Sequence, residues 1–336
     1  MKIQAITHTP ESGLLQLTTA GAAAGWSPGV DADTARVLTE VYGPVVVGGS
    51  VWERDRLWRA CREAGRAAGL TPASWGHVDV ALWDLFAKAQ ELPLFRAVGG
   101  FRDRIPVVRR GTETTDPETV TAEAVAARDE GAWGYSLSAV SAQTAVALLP
   151  SLREATGPGF RLLCDGGQRF DLEQALRIGR ALEAIEGHWF AEPVRDGDLL
   201  ALQKLSDALE VPVVAGAFIG DSILAGTRAL TTRAVDRVRA TIPDTGGVTE
   251  ALKLARGAEA LQMNCEIDWA AASGPYAAAH LMGAARNAEL LVLPMEMPAT
   301  PGFVPLTVAE GHLQLPDAPG LGLQPVDGVV TREDAS

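Results

Sequence analysis

Residues 159–194, GFRLLCDGGQRFDLEQALRIGRALEAIEGHWFAEPV, hold two short apolar runs separated by one amphipathic stretch. LLC ends in Asp165 and Gly166, and WFA ends in Glu192 and Pro193, so each run stops at polar or turn-forming residues. The spacing predicts a strand, a helix and a second strand running parallel to the first.

The same rhythm extends outward in both directions. RIPVVRRG, WGYSLSAV, VPVVAGAF, RVRATIPDTGG and LQMNCEID are further strand candidates, ending near residues 110, 136, 217, 244 and 265. They recur roughly every 26 residues, close to the ~30 per unit of a (β/α)₈ barrel of about 250 residues. No GxGxxG follows any of them, which weighs against a doubly wound nucleotide-binding sheet. The predicted fold is α/β, a modified TIM barrel of seven to eight units over residues 101–300, preceded by an α+β capping domain over residues 1–100.

In that first region GLLQLTTAGAAAGWS suggests a short hairpin. DADTARVLTEVYGPVVV opens on an Asp N-cap and reads as a helix. SVWERDRLWRACREAGRAAG and PASWGHVDVALWDLFAKAQE carry helical apolar stripes. The last 36 residues, from 301, include the Pro- and Gly-rich LQLPDAPGLGLQPVDG, expected to fold back over the first region.

Composition narrows the function. The chain has 336 residues, 47% hydrophobic and 6% aromatic, with a formal net charge of −13. An acidic chain with no basic stripe does not suit nucleic acid, and no apolar run reaches the ~20 residues of a membrane span. A cytoplasmic protein is expected, since the N-terminus lacks signal-peptide organisation. Its three cysteines, Cys61, Cys164 and Cys265, are far apart and read as buried apolar residues rather than disulfides or zinc ligands. Lysine is scarce, with none between Lys88 and Lys204.

Several stretches resemble the enolase superfamily, in particular its mandelate racemase and muconate lactonizing group. HVDVALWDLFAKAQELPLFRAVGG is similar to the last capping helix and the crossover into the barrel. LLCDGGQRF, WFAEPV, VPVVAGAF and IPDTGGVTEALKLA resemble the third to sixth barrel strands, and LPDAPGLGL the C-terminal closure. The resemblance spans nearly the whole chain. It implies three carboxylates holding Mg²⁺ at the ends of strands three to five, with bases on the second strand (Lys-x-Lys) and on the sixth and seventh.

Residue by residue, the match is incomplete. Asp165 keeps the first ligand position, whereas Ala191 and Ala217 stand at the second and third. The Lys-x-Lys positions read Ser136-Leu137-Ser138. Asp244 is retained on the sixth strand, and NCEID offers Glu266 and Asp268 but no histidine. Glu192 is kept beside Ala191, but strand alternation points it away from the direction of residue 191. His188, His280 and His312 fall at a strand entry, in a helix and in the tail, away from strand C-termini, and read as structural.

The residues left for chemistry are Asp165, Asp244, Glu266, Asp268 and Tyr135 as acids or bases. Arg110, Ser136, Ser138, Glu192 and Asp221 are the substrate contacts, with one of the pair Arg109 and Arg110 expected to face away from the mouth. The expected function is metal-independent carboxylate acid–base chemistry on a small activated molecule: isomerisation, elimination or cyclisation. No cofactor is expected. The alternatives are a non-catalytic ligand- or partner-binding relative, and a Mg²⁺-dependent racemase or dehydratase with rebuilt ligands. The resemblance also implies a homo-oligomer. The short THTPESGLLQ segment suggests a mouth more open than the family's usual long first loop provides.

Overall fold

A computed structural model describes residues 1–21, 23–195, 198–216, 223–297, 300 and 303–324. Strands β1 (Ile3–Thr9), β2 (Leu14–Thr19) and β3 (Ala24–Ser27) form an antiparallel sheet in sequential order. Their first connection is a tight turn, with the Ser12 and Gly13 amides donating to the carbonyls of Thr9 and Pro10. Three helices pack on this sheet: α1 (Ala32–Val46), α2 (Arg54–Ala67) and α3 (Pro72–Ala89). They share a core of Leu15, Leu17, Leu38, Tyr42, Trp75 and Leu82, among others. The Asp31 carboxylate caps α1 through the Thr34 amide at 2.9 Å.

After the short α4 (Leu94–Ala97), strands and helices alternate: β4 (Arg104–Arg110), α5 (Pro117–Asp129), β5 (Gly134–Ser138), α6 (Ala142–Thr156), β6 (Arg161–Asp165) and α7 (Leu172–Ala184). They continue as β7 (Phe190–Ala191), α8 (Leu199–Ala208), β8 (Val213–Ala215), α9 (Ile223–Thr231), β9 (Arg237–Ile242), α10 (Val248–Ala260), β10 (Asn264–Trp269), α11 (Tyr276–Ala284) and β11 (Leu291–Pro294). The strands from β4 to β10 pair in parallel with their sequence neighbours, and β11 pairs in parallel with β4. The result is a barrel whose core holds Val108, Leu163, Trp189, Val214, Leu290 and Val292.

The eighth strand, LVLP, is not among the strands expected from sequence. Between β10 and β11 no strand ladder forms among the described residues. Single bonds stitch that seam instead: the Cys265 amide to the Asn287 carbonyl at 3.0 Å, and Trp269 Nε1 to the Val292 carbonyl at 3.1 Å.

A final hairpin, β12 (Val308–Ala309) and β13 (His312–Gln314), adds to the entry end of β4. The chain then returns to the N-terminal layer, where buried Asp84 accepts from the amides of Trp26 (2.8 Å) and Leu321 (2.7 Å) and pairs with Lys88. No described helix is long and apolar enough to cross a membrane.

Helix α3 fixes the N-terminal layer over the C-terminal end of the barrel. Gly76 approaches so closely that a Cβ there would sit 2.2 Å from the Pro243 carbonyl oxygen. Helix α10 begins after Gly247, which has no side chain to cap it. Asp79 of α3 supplies the missing acceptor, taking the Thr249 amide and hydroxyl at 2.7 Å each. Such a cap is worth about 1 kcal/mol.

Burial raises the Asp79 carboxyl to about 7 and that of nearby Glu250 to about 6. The folded state therefore binds these protons more tightly than the unfolded chain, whose Asp titrates near 3.8. Their contribution to stability is greatest below that value and declines as pH rises toward 7. Melting temperature measured across this window is expected to fall with pH from this source, and Asp79→Asn to flatten the slope. An unchanged slope in the variant would exclude Asp79 as its source.

Candidate active site

Inward and outward positions alternate along every barrel strand, and the alternation sorts the candidate residues. On β4, Arg109 turns outward, pairing with Glu130 at the end of α5 and donating to the Pro294 carbonyl at 3.0 Å. Arg110 turns inward, its Nη2 lying 3.2 Å from Asp268 Oδ2 and 3.4 Å from Oδ1. The Arg110 Nε is buried with no hydrogen-bond partner among the described residues.

On β5, Ser136 and Ser138 are both buried on the inner parity, and Ser138 Oγ donates to the Gly111 carbonyl at 2.6 Å. Tyr135, expected as an acid, faces the other way. Its hydroxyl donates to Glu123 of α5 at 2.8 Å, and burial together with Glu123 raises its pKa further above the ordinary phenol value. It is a packing residue of the strand–helix layer.

At the end of β6, Asp165 Oδ1 accepts the Gly167 amide at 2.9 Å while Oδ2 faces a guanidinium, that of Arg239 on β9, at 3.4 Å. The same Arg239 Nη1 lies 3.6 Å from Asp268 Oδ2 and 3.9 Å from Glu192 Oε1. Its side chain is 8% exposed. Burial alone would lower the Arg239 pKa, but Asp165, Asp268 and Glu192 outweigh it and raise the value.

Glu192 departs from the alternation expected of it. The strand ends at Ala191, and Glu192 takes a left-handed backbone with φ of 42°. That turn swings its carboxylate into the cluster, where Oε1 also accepts the Gly216 amide at 2.8 Å. Ala191 lies beside Asp165 in register, and its methyl belongs to the barrel core.

Asp244 follows β9 on an open loop at the mouth. Surrounding protein and then the charge of Asp268 raise its carboxyl pKa. Asp221 and Ala217 lie outside the described residues.

Glu266 shares the inner parity of Asp268 but sits two residues deeper, and its carboxylate engages groups at the strand entries. It pairs with Arg237 at 2.9 Å, and its Oε2 accepts the Glu289 amide at 3.0 Å. Arg237 also binds Glu289 at 2.6 Å, and Glu289 in turn binds His188 at 3.0 Å. The His188 bond first, then Arg237, hold the Glu289 carboxyl down to about 2, against the cost of burial. Glu266 is thus a structural acid that satisfies amides along the unpaired seam, not a member of the mouth cluster.

Of the other expected structural residues, His280 and the cysteines sit inside the protein, while His188 and His312 are partly exposed. His280 is buried, its pKa lowered to about 4 by burial, and its Nδ1 accepts the Phe95 amide at 3.2 Å. All three cysteines are buried and free, and burial pushes their thiols up.

The structure therefore gathers Asp165, Glu192, Asp268, Arg110 and Arg239 at the strand C-termini, with Asp244 above them. Arg239 was not expected from the sequence. The signal was present in RVRATI, where arginines at 237 and 239 share one face of a barrel strand.

The profile described as "Enolase C-terminal domain-like" matches residues 119–329. Arabinonate dehydratase of Saccharolobus solfataricus is 26% identical over 82% of this chain and 75% of its own length. L-Ala-D/L-Glu epimerase of Bacillus subtilis is 24% identical over 94% and 90%. Among solved structures, D-glucarate dehydratase from Agrobacterium tumefaciens complexed with magnesium superposes with a TM-score of 0.83 at 26% identity, covering 93% of this chain and 87% of that one. Relatives with these and cycloisomerase names support an isomerase or lyase. With the profile covering most of its length, the chain belongs to the enolase superfamily, among proteins of the mandelate racemase and muconate lactonizing type.

Proposed function

We propose that the protein is an acid–base isomerase or lyase that works on a small, already activated organic substrate without a divalent cation. The observation that carries this reading is the cluster at the strand ends, in which two guanidinium groups, Arg110 and Arg239, alternate with Asp165, Glu192 and Asp268.

The residues do not fit Mg²⁺, which demands near-octahedral oxygen coordination at about 2.0–2.1 Å. A buried guanidinium stands among the acids. Ala191 offers a methyl where the family resemblance places the second ligand. The nearest carboxylate oxygens already accept backbone amides or guanidinium N–H groups.

Within this reading Arg110 receives the substrate. One of its Nη atoms is tied to Asp268, which holds the guanidinium in place, and the side chain is 35% exposed, so the open side of the fork can donate to a substrate oxygen. Asp244 is the proton carrier. Its raised pKa keeps a proton on the carboxyl above the ordinary Asp range, which suits a general acid, and its ionised form can take the proton back. Arg110 and Arg239, held in place by Asp165 and Asp268, supply the positive charge against which negative charge develops on the substrate. One developing negative charge can be met this way. The two charges of an enediolate formed from a plain carboxylate are a harder case, so the reading favours ketones, conjugated acids or lactone-forming substrates.

Its test is hydrogen exchange. A panel of small sugar acids, lactones and dipeptides is incubated with chelator-treated protein in D₂O and followed by proton NMR. Exchange or product formation that Asp244→Asn abolishes supports the reading. Exchange that appears only after Mg²⁺ is added overturns it in favour of a magnesium-dependent enzyme.

A further inference from the structure

We infer that Arg239 is a fixed internal cation occupying the place in which this barrel would otherwise seat a divalent ion, and that its guanidinium is what commits the mouth against metal. Arg239 is rooted on β9, inside the wall, so its charge is a permanent part of the barrel and does not depend on solution composition. Its Nη1 lies 3.4, 3.6 and 3.9 Å from oxygens of Asp165, Asp268 and Glu192, on three other strands or their ends. One positive centre therefore gathers three carboxylates, as a metal ion would, but through N–H donors instead of empty coordination positions.

Two further observations fit a settled role. At the end of β8, Gly216 presses on the Arg239 backbone so tightly that a Cβ would lie 2.0 Å from the Arg239 carbonyl oxygen. The close approach sets the Gly216 amide to hold Glu192 Oε1 at 2.8 Å. Meanwhile Ala191, in register with Asp165, presents a buried methyl to the wall and adds no fourth acid. A carboxylate at 191 together with a neutral side chain at 239 would restore a ligand and remove the competing charge.

The inference rests on the proposed reading only for its bearing on catalysis; cation binding is measurable with no substrate at all. Mn²⁺ is the probe, titrated into full-length protein and followed by electron paramagnetic resonance of the free ion. Wild-type protein is expected to take up no Mn²⁺ that Asp165→Asn removes, and Ala191→Glu to bind it only weakly. The double variant Ala191→Glu/Arg239→Gln is expected to bind one Mn²⁺ per chain roughly a hundredfold or more tighter than Ala191→Glu alone. Removing a like unit charge about 4 Å away at an effective dielectric near 20 is worth about 4 kcal/mol, roughly a thousandfold, so a hundredfold gain is the least the inference allows.

Stoichiometric Mn²⁺ binding to wild type that is lost in Asp165→Asn overturns the inference. So does a folded double variant with no gain over Ala191→Glu. Should the double variant not fold, the wild-type and Ala191→Glu titrations still decide, because tight uptake by Ala191→Glu with Arg239 intact would contradict a blocking role. Loss of the D₂O exchange chemistry with these binding results unchanged would sink the catalytic reading alone.

Discussion

Replacing Asp244 by Asn is expected to lower turnover by about 10²- to 10⁴-fold, the range for loss of a positioned acid or base, while the protein folds as before. The side chain sits on an open loop over the arginine–carboxylate cluster, and its pKa is raised by surrounding protein and then by Asp268. Asparagine keeps the shape and removes both the proton and a like charge beside Asp268. The unfolding midpoint is therefore expected to stay level or rise slightly as activity collapses. The pH profile supplies a second check. If the protonated carboxyl is the working form, wild-type activity declines on a limb shifted above the ordinary Asp range of about 3.9. Asp244→Asn retaining more than about a tenth of wild-type turnover, well outside that range, would remove Asp244 from the chemistry.

The opposite pattern is expected at Glu266. Glu266→Gln should cost about 3 kcal/mol of stability, the low end for breaking a buried ion pair by removing one partner. Its side chain is 4% exposed and binds both Arg237 and the Glu289 amide. Glutamine can present only one acceptor oxygen, so its NH₂ must face either a guanidinium or a backbone N–H. Arg237 keeps Glu289, which holds the loss to the lower figure. Urea unfolding measures the change. Specific activity of the folded fraction should match wild type, since this network lies at the strand entries. A variant as stable as wild type but inactive would place Glu266 in the chemistry after all.

These two acids show what the sequence made legible. Repeating apolar runs ending in polar residues were enough for the barrel, because closure of parallel strands demands that period. LVLP escaped because a four-residue run followed by Met and Glu carries little periodic signal, although β4 pairs with it. Parity identifies the face of a strand but not the depth. Glu266 and Asp268 share a face, yet a rise of about 3.3 Å per residue separates a structural network from the mouth. Tyr135 has the opposite parity from Ser136 and so could not reach the mouth.

Glu192 defeated parity for another reason: the strand stops one residue earlier, and a left-handed backbone at 192 redirects the side chain. Arg239 was hidden by the resemblance itself, which directs attention to acids and lysines at strand ends. A guanidinium rooted three residues inside the strand reaches the same place on a longer side chain. Ala191, by contrast, was legible at once, and the guanidinium groups of Arg110 and Arg239 explain how the barrel tolerates the surviving acids.

The most direct test of this account is kcat/KM, on whichever substrate exchanges in D₂O, measured after exhaustive chelation and again with millimolar Mg²⁺. With Arg239 as the cation of the mouth, the two values should agree within error. Activity that disappears with chelator and returns with Mg²⁺ would contradict the account at its centre.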